Sequence, residues 1–140
     1  MLFKTILVLM VNLISMENIN HINDLKWNYR VLVVKNNEEI DLSNKINLFK
    51  KEFDERDFII IYTDGQSSFL NNRTMPNYFT KSVLKKIKNF ESSNYLFLIG
   101  KDGDLKNSYS SEIQIERIFS DVDKMPMRKF EVLKRIKKKS

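Results

Sequence analysis

Residues 94–131 constrain the fold more than any other stretch of the chain. The apolar run at residues 94–99 predicts a buried strand, and Asp102-Gly103 is a strong hairpin signal because both residues tolerate positive φ. An alternating stretch follows at residues 105–109, and its lysine is typical of a protected edge strand. A helix then leads to an unusual Met-Pro-Met-Arg sequence, whose Pro126 suits the first turn of a final helix. This part of the chain therefore predicts a hairpin followed by two helices.

Two further apolar runs, at residues 29–34 and 58–62, predict strands that are covered on both faces. Between them, apolar residues recur at spacings of four, three and four, which form one face of a helix. Two buried strands joined by a helix make a βαβ unit, so the strands should be parallel. Residues 64–78 are predicted to be an unstructured connection, and a short helix is predicted to begin at its cap, Thr80. The expected fold class is α/β, with a mixed four-stranded sheet and flanking helices.

The positive charge of the chain is concentrated at its C-terminus. The formal net charge is +6, from 24 basic and 18 acidic residues, but residues 128–139 contain seven of the basic residues and one acidic residue. The basic and acidic residues of the rest of the chain cancel. A uniformly basic face is therefore not expected, nor is a nucleic-acid partner. Residues 132–140 are interpreted as a basic tail that could contact a membrane surface, and its last turns, at residues 134–139, are expected to fray.

Several chemistries can be excluded from residue types alone. The chain contains no cysteine, which excludes disulfides, thiol nucleophiles and thiol redox activity. The single histidine, His21, lies in a polar lead-in at residues 18–24 that is predicted to be loose, so no Ser-His-acid arrangement is credible. Gly100-Lys101 lacks the flanking residues of a phosphate-binding loop. No metal site, cofactor or catalytic residue is predicted.

The N-terminus matches a secretory signal peptide. Residues 2–14 are apolar apart from Lys4, Thr5 and Asn12, and these 13 residues are too few to span a bilayer. A charged start, a short apolar stretch and a polar continuation are typical of an export signal. We therefore expect a signal peptide within residues 1–20 and an exported protein, either periplasmic or secreted. The alternative is that this stretch forms a first strand or a core helix.

Four short motifs carry a resemblance to a known family. They are Trp27-x-x-Arg30, Glu55-Arg56-Asp57, Gly100-Lys101-Asp102-Gly103 with Lys106, and Asp123-x-Met125-Pro126-Met127-Arg128-x-x-Glu131. In these residues the chain resembles the thioredoxin-like domain of unknown function, of the DUDES type, found in bacterial envelope proteins and in vertebrate sushi-repeat and matrix proteins. The resemblance covers residues 24–131. It implies a thioredoxin-like fold without redox cysteines and an extracytoplasmic setting, and it brings no established reaction.

The same motifs are expected to converge at one end of the sheet. In a thioredoxin-like topology the first two strands begin there, the third strand ends there, and the helix before Asp123 returns there. We predict a charge network of Arg30, Arg56 and Arg128 with Asp57, Asp102 and Asp123, with Trp27 and the two methionines beneath it. The predicted binding residues are Arg30, Lys101, Asp102, Asp123, Arg128 and Glu131. The alternative interpretation is a structural clamp, since paired charges near a surface mostly fix geometry.

Three classes of function remain open. The first is a non-catalytic binding or interaction module of the bacterial cell envelope, with a protein partner of that compartment. The second is a surface-associating protein whose basic tail contacts anionic lipid or nucleic acid. The third is a cysteine-independent enzyme that uses Glu38, Glu39 and Asp41 with the connection at residues 64–78. A buried, perturbed carboxylate among these three residues would favour the enzyme.

Overall fold

The computed structural model describes residues 18–88 and 93–139. Residues 1–17 of the predicted signal peptide therefore lie outside the described residues. The strands are β1 (Arg30–Lys35), β2 (Phe58–Thr63), β3 (Ser68–Leu70), β4 (Arg73–Thr74), β5 (Leu96–Ile99) and β6 (Leu105–Tyr109). The helices are α1 (Ser43–Asn47), α2 (Lys50–Glu55), α3 (Asn77–Ile87), α4 (Ile115–Asp123) and α5 (Pro126–Lys139), preceded by a 3-10 helix (Ile22–Leu25).

The predicted α/β class with a mixed sheet is confirmed. The strand order is β4-β3-β2-β1-β5-β6. β1 and β2 are parallel and are joined by α1 and α2, as the βαβ interpretation predicted. β5 pairs antiparallel with β1, and β6 pairs antiparallel with β5. One apolar layer lies between the sheet and α3 with the 3-10 helix, and the other lies between the sheet and α1, α2 and α4.

The sheet has six strands, so the predicted count of four is wrong. Residues 64–78, which were expected to be unstructured, contain the β3–β4 hairpin. Its two turn residues, Asn71 and Asn72, both have positive φ (51° and 63°), which is what a two-residue hairpin turn of the right twist requires. Thr80 lies within α3 rather than capping it, and its hydroxyl is 2.6 Å from the Ser68 hydroxyl. This buried hydrogen bond ties the hairpin to the helix.

The lead-in at residues 18–24 is ordered, contrary to the prediction. His21 caps the 3-10 helix: its Nδ1 accepts a hydrogen bond from the backbone N–H of Asn23 (3.0 Å), and Asp24 accepts one from the N–H of His21 (3.0 Å). The helix is held because Ile19 and Ile22 are buried in the core. His21 is therefore a structural cap with an exposed side chain.

The C-terminal residues continue a helix. Residues 132–139, interpreted as a basic tail, are the last part of the 14-residue α5. The helix lies against the end of α2, where the carbonyl oxygen of Glu55 accepts hydrogen bonds from Arg128 (3.1 Å) and Arg135 (2.9 Å). Arg135 thus fixes the helix beyond the point where fraying was expected. No helix among the described residues is long and apolar enough to cross a membrane.

Candidate functional site

Three strand ends bring charged residues together at one end of the sheet. Arg30 opens β1, Asp57 immediately precedes β2, and Lys101 follows β5. The register places Arg30 opposite Phe58 and Val31 opposite Ile99, so these three charged residues are close neighbours. We call this end of the sheet the charged pole. Helix α5 begins there and packs against it.

Glu131 of α5 receives three of the cations at this pole. Arg30 donates from Nη1 to Oε2 (3.1 Å) and from Nη2 to Oε1 (3.2 Å), and Lys101 donates from Nζ to Oε1 (2.6 Å). Arg128 Nη1 lies 3.6 Å from Oε2. Arg30 is only 1% exposed and Lys101 is 8% exposed. A buried charge is costly unless it is paired, so the Glu131 carboxylate compensates the buried charges of Arg30 and Lys101.

Two aspartates complete the arrangement. Lys101 Nζ lies 2.9 Å from Asp57 Oδ2, and Arg56 forms two bonds of 3.0 Å with the carboxylate of Asp123. Arg128 Nε lies 3.5 Å from Asp123 Oδ1. The charge network consists of Arg30, Arg56, Lys101, Arg128 and Arg135 with Asp57, Asp123 and Glu131. Five cations face three carboxylates, so the network carries two positive charges in excess.

The structure brings most of the predicted binding residues into this network. Asp102 is the exception, because it pairs with Lys106 instead (2.6 Å). Arg135 was missed, although it shares one helix face with Arg128 and Glu131 at spacings of three and four, which could have identified it.

None of the three apolar residues predicted beneath the network is buried there. Trp27 is 64% exposed, and it is the backbone of this residue, in a left-handed conformation (φ 70°), that donates to the carbonyl of Lys101 (2.7 Å). Met125 packs against the α4 side of the core and Met127 is largely exposed. The two methionines instead line a small cavity together with Arg30 and Lys101.

Two carboxylates of the network, Glu131 and Asp123, have lowered pKa values. Burial alone would raise the pKa of Glu131, but hydrogen bonds from Lys101 and Arg30 outweigh it and lower this pKa below its ordinary value. The hydrogen bonds from Arg56 likewise lower the pKa of Asp123. A general base that works near neutral pH needs a raised pKa. These two carboxylates therefore serve as fixed negative charges.

The residues proposed for an enzyme do not form a cleft. Glu38, Glu39 and Asp41 are all exposed, and the hydrogen bonds from Ser43 lower the pKa of Asp41. Within residues 18–88 and 93–139, no group of three or more metal-ligating side chains is arranged to hold a metal ion.

The outer surface of α5 is unusually apolar for an exposed helix. Its exposed apolar side chains are Met127, Phe130, Val132, Leu133 and Ile136. Two open grooves border the helix. One, of about 410 Å³, is lined by Val132 and Leu133 and reaches Asp123; the other, of about 400 Å³, is lined by Met127 and Phe130 and reaches Lys101. We call this group of side chains the apolar surface of α5.

The fold and the charged pole together define a mixed α/β domain with a charge network at one end of its sheet. The chain belongs to the family described as "Domain of unknown function (DUF4174)", which it matches over residues 21–131. This range includes every member of the charge network except Arg135. A search of the curated proteins gives no match, and a search of the solved structures gives none.

Proposed function

We propose that this protein is a non-catalytic, thioredoxin-like binding module of the bacterial cell envelope that docks an acidic partner protein on α5. The thioredoxin-like assignment is supported by the four central strands, β2-β1-β5-β6, of which the first two are parallel and the others alternate in direction. The β3–β4 hairpin extends this arrangement at the β2 edge. The absence of cysteine from the sequence removes the usual thiol chemistry of such a domain.

One observation carries the docking proposal: α5 is attached through its charged side chains and exposes its apolar ones. A surface helix ordinarily buries an apolar stripe and exposes charge. Here Arg128 is 7% exposed, whereas Phe130 and Ile136 are 63% and 59% exposed. Complete burial of an apolar side chain of this size contributes about 1.5–3 kcal/mol. An exposed apolar cluster with a polar border is typical of a protein interaction site.

The charge around the apolar surface indicates the chemistry of the partner. The exposed lysines of α5 are Lys129, Lys134, Lys137, Lys138 and Lys139. The single acidic residue of the helix, Glu131, faces the charge network. An acidic surface with an apolar centre would complement this helix in both respects.

The docking proposal can be tested by site-specific photo-cross-linking in the native host. A photoreactive phenylalanine analogue is placed at Phe130, and the control places it at Leu48, which is 81% exposed but lies between α1 and α2. We expect residue 130 to give a discrete cross-linked protein, identified by mass spectrometry, that residue 48 does not give. Equal labelling from both positions would overturn the proposal.

The alternative is that α5 binds an anionic membrane surface, and vesicle binding by the same protein tests this. Binding to vesicles that contain anionic lipid, but not to neutral vesicles, would be sensitive to salt and would be lost on deleting residues 134–140. Such binding without a cross-linked protein would assign the helix to a membrane surface and overturn the choice of a protein partner. We expect weak vesicle binding and a strong protein cross-link.

The proposal of export rests on the Lys4-led apolar stretch at residues 2–14. The signal peptide is expected to be cleaved before Ile19, because Ile19 and Ile22 are both buried and removing them would open the core. The measurement is the intact mass and N-terminal sequence of protein purified from its native host. Recovery of the complete N-terminus from the culture would contradict export.

A further inference from the structure

A small cavity lies between the start of α5 and the turn that follows β5. Its volume is about 160 Å³, several times the volume of about 30 Å³ that one water molecule occupies in the liquid. The lining residues come from β1, the turn after β5, β6, the link between α4 and α5, and the start of α5: Arg30, Gly100, Lys101, Asp102, Lys106, Met125, Pro126 and Met127. The cavity thus adjoins both the charge network and the apolar surface of α5.

The first turn of α5 adjoins this cavity through Pro126 and Met127. The N–H of Lys129 bonds to the carbonyl of Met125 (3.1 Å), which is the first bond of the helical type. Pro126 has no N–H, and the N–H groups of Met127 and Arg128 precede that first bond. Helix geometry leaves such groups without a partner inside the helix. Together with the helix dipole they favour an anion at this end.

Arg30 provides an independent indication of a ligand. Its Nη atoms are used by Glu131 and by the carbonyl oxygen of Arg56. Its Nε has no hydrogen-bond partner among the described residues, although the residue is only 1% exposed. Buried polar groups are nearly always hydrogen-bonded. Arg30 therefore has an unused, buried donor, and the residue forms part of the cavity wall.

Two lysines complete the positive lining, and one of them is free to change partner. Lys101 is held by Glu131 and Asp57. Lys106 is bound only to Asp102, in a pair whose side chains are 34% and 35% exposed, and such surface pairs contribute little. The Lys106 side chain crosses Gly100 so closely that an added Cβ would lie 2.7 Å from its Cε. Lys106 thus lies against Gly100 at the cavity wall, in a partly exposed pair that a bound anion could compete for.

We propose that this cavity binds one carboxylate of the acidic partner, through the first turn of α5, Arg30 and Lys106. The inference rests on the proposed docking function and names the chemical group that is recognised. The lining has three cations and one carboxylate, and two of those cations are shared with Glu131, so a singly charged anion fits its charge better than a phosphate dianion does. The small volume also favours a carboxylate on a short side chain.

The test uses the purified protein alone and acetate as the probe. Acetate is titrated at constant ionic strength against chloride, and amide shifts are followed by two-dimensional nitrogen–proton NMR. We expect saturable shifts of the Met127, Arg128 and Gly100 amides. Lys106→Gln should weaken binding roughly fivefold, the scale of one partly exposed ion pair. Lys50→Gln, which alters the exposed pair with Asp54, should leave acetate binding unchanged.

Three results would overturn the carboxylate site: shifts that do not saturate, equal affinity in the Lys106→Gln protein, or tighter binding of phosphate than of acetate at the same amides. The outcome is separable from that of the docking proposal. If acetate does not bind while Phe130 still cross-links a partner, the cavity has no ligand role and the docking surface stands. If acetate binds while cross-linking fails, the cavity has a ligand role and the docking surface on α5 is overturned.

Discussion

Replacing Glu131 by Gln should destabilise the protein strongly, although the substitution changes neither size nor shape. Glu131 balances Arg30 and Lys101, which are 1% and 8% exposed. Removing one partner from a buried ion pair typically costs about 3–5 kcal/mol because the remaining charge is left without compensation. The glutamine oxygen still accepts one hydrogen bond and Lys101 keeps Asp57, so we expect a loss of about 3 kcal/mol, at the lower end of that range.

The assay is urea unfolding at neutral pH, supported by thermal unfolding. A loss of about 3 kcal/mol corresponds to a fall of roughly 10 °C in Tm for a domain of this size. The matched control is Asp54→Asn, which makes the same chemical change in an exposed pair with Lys50. That pair should contribute no more than about 0.5 kcal/mol. A Glu131→Gln protein within 1 kcal/mol of the wild type would refute the reasoning.

The pH dependence supplies a second check on Glu131. Because the pKa of Glu131 is lowered in the folded protein, its contribution is fully present above the ordinary value of 4.5 and is lost as the pH falls through the folded pKa. The stability difference between the wild type and the Glu131→Gln protein should therefore be constant near neutral pH and shrink on acidification. A difference that persists unchanged in acid would show that packing, rather than charge, is responsible.

Three further outcomes follow from individual features. Deleting residues 136–140 should lower Tm by no more than about 2 °C, since the apolar side chain removed is exposed; a loss of about 10 °C would show that this end packs as core. Gly103→Ala should lower the free energy of unfolding in urea more than Gly65→Ala does. Both glycines have positive φ, which alanine disfavours, but an added Cβ at Gly103 would also collide with the Lys26 side chain, whereas Gly65 has open space. Burial raises the pKa of Tyr109, so the wild type should lose stability as the pH rises above 10.0. A Tyr109→Phe protein should lose less stability over the same range, and equal stability profiles at alkaline pH would contradict this.

The elements whose apolar residues follow a simple pattern could be predicted from the sequence. Strands covered on both faces are nearly continuous apolar runs, so β1, β2 and β5 could be located and the parallel pairing of β1 with β2 inferred. The β3–β4 hairpin was not found because its strands are only three and two residues long. Its signal is the Asn71-Asn72 pair, which tolerates positive φ without the glycine usually sought at such a turn.

Charge placement in the candidate site was easier to predict than side-chain orientation. Topology alone brings Arg30, Lys101 and Arg128 to one pole, because the ends of elements meet there. The direction of Trp27 depends on a single left-handed backbone angle, which no pattern of residue types reveals. The same limit applies to α5, since its composition does not show that the helix packs by its charges and exposes Phe130.

The attachment of α5 separates the side chains that hold the helix from those that it exposes. Arg128, Glu131 and Arg135 bind it to the domain, whereas Phe130 and Leu133 make little contact with the rest of the chain. Substitutions of exposed side chains that take no part in packing or ion pairs usually change stability by less than about 0.5 kcal/mol. Here the outward positions can diverge between species, or be redesigned in the laboratory, while the domain keeps its shape. The exposed side chains of α5 can in this sense be exchanged while the residues that attach the helix stay constant.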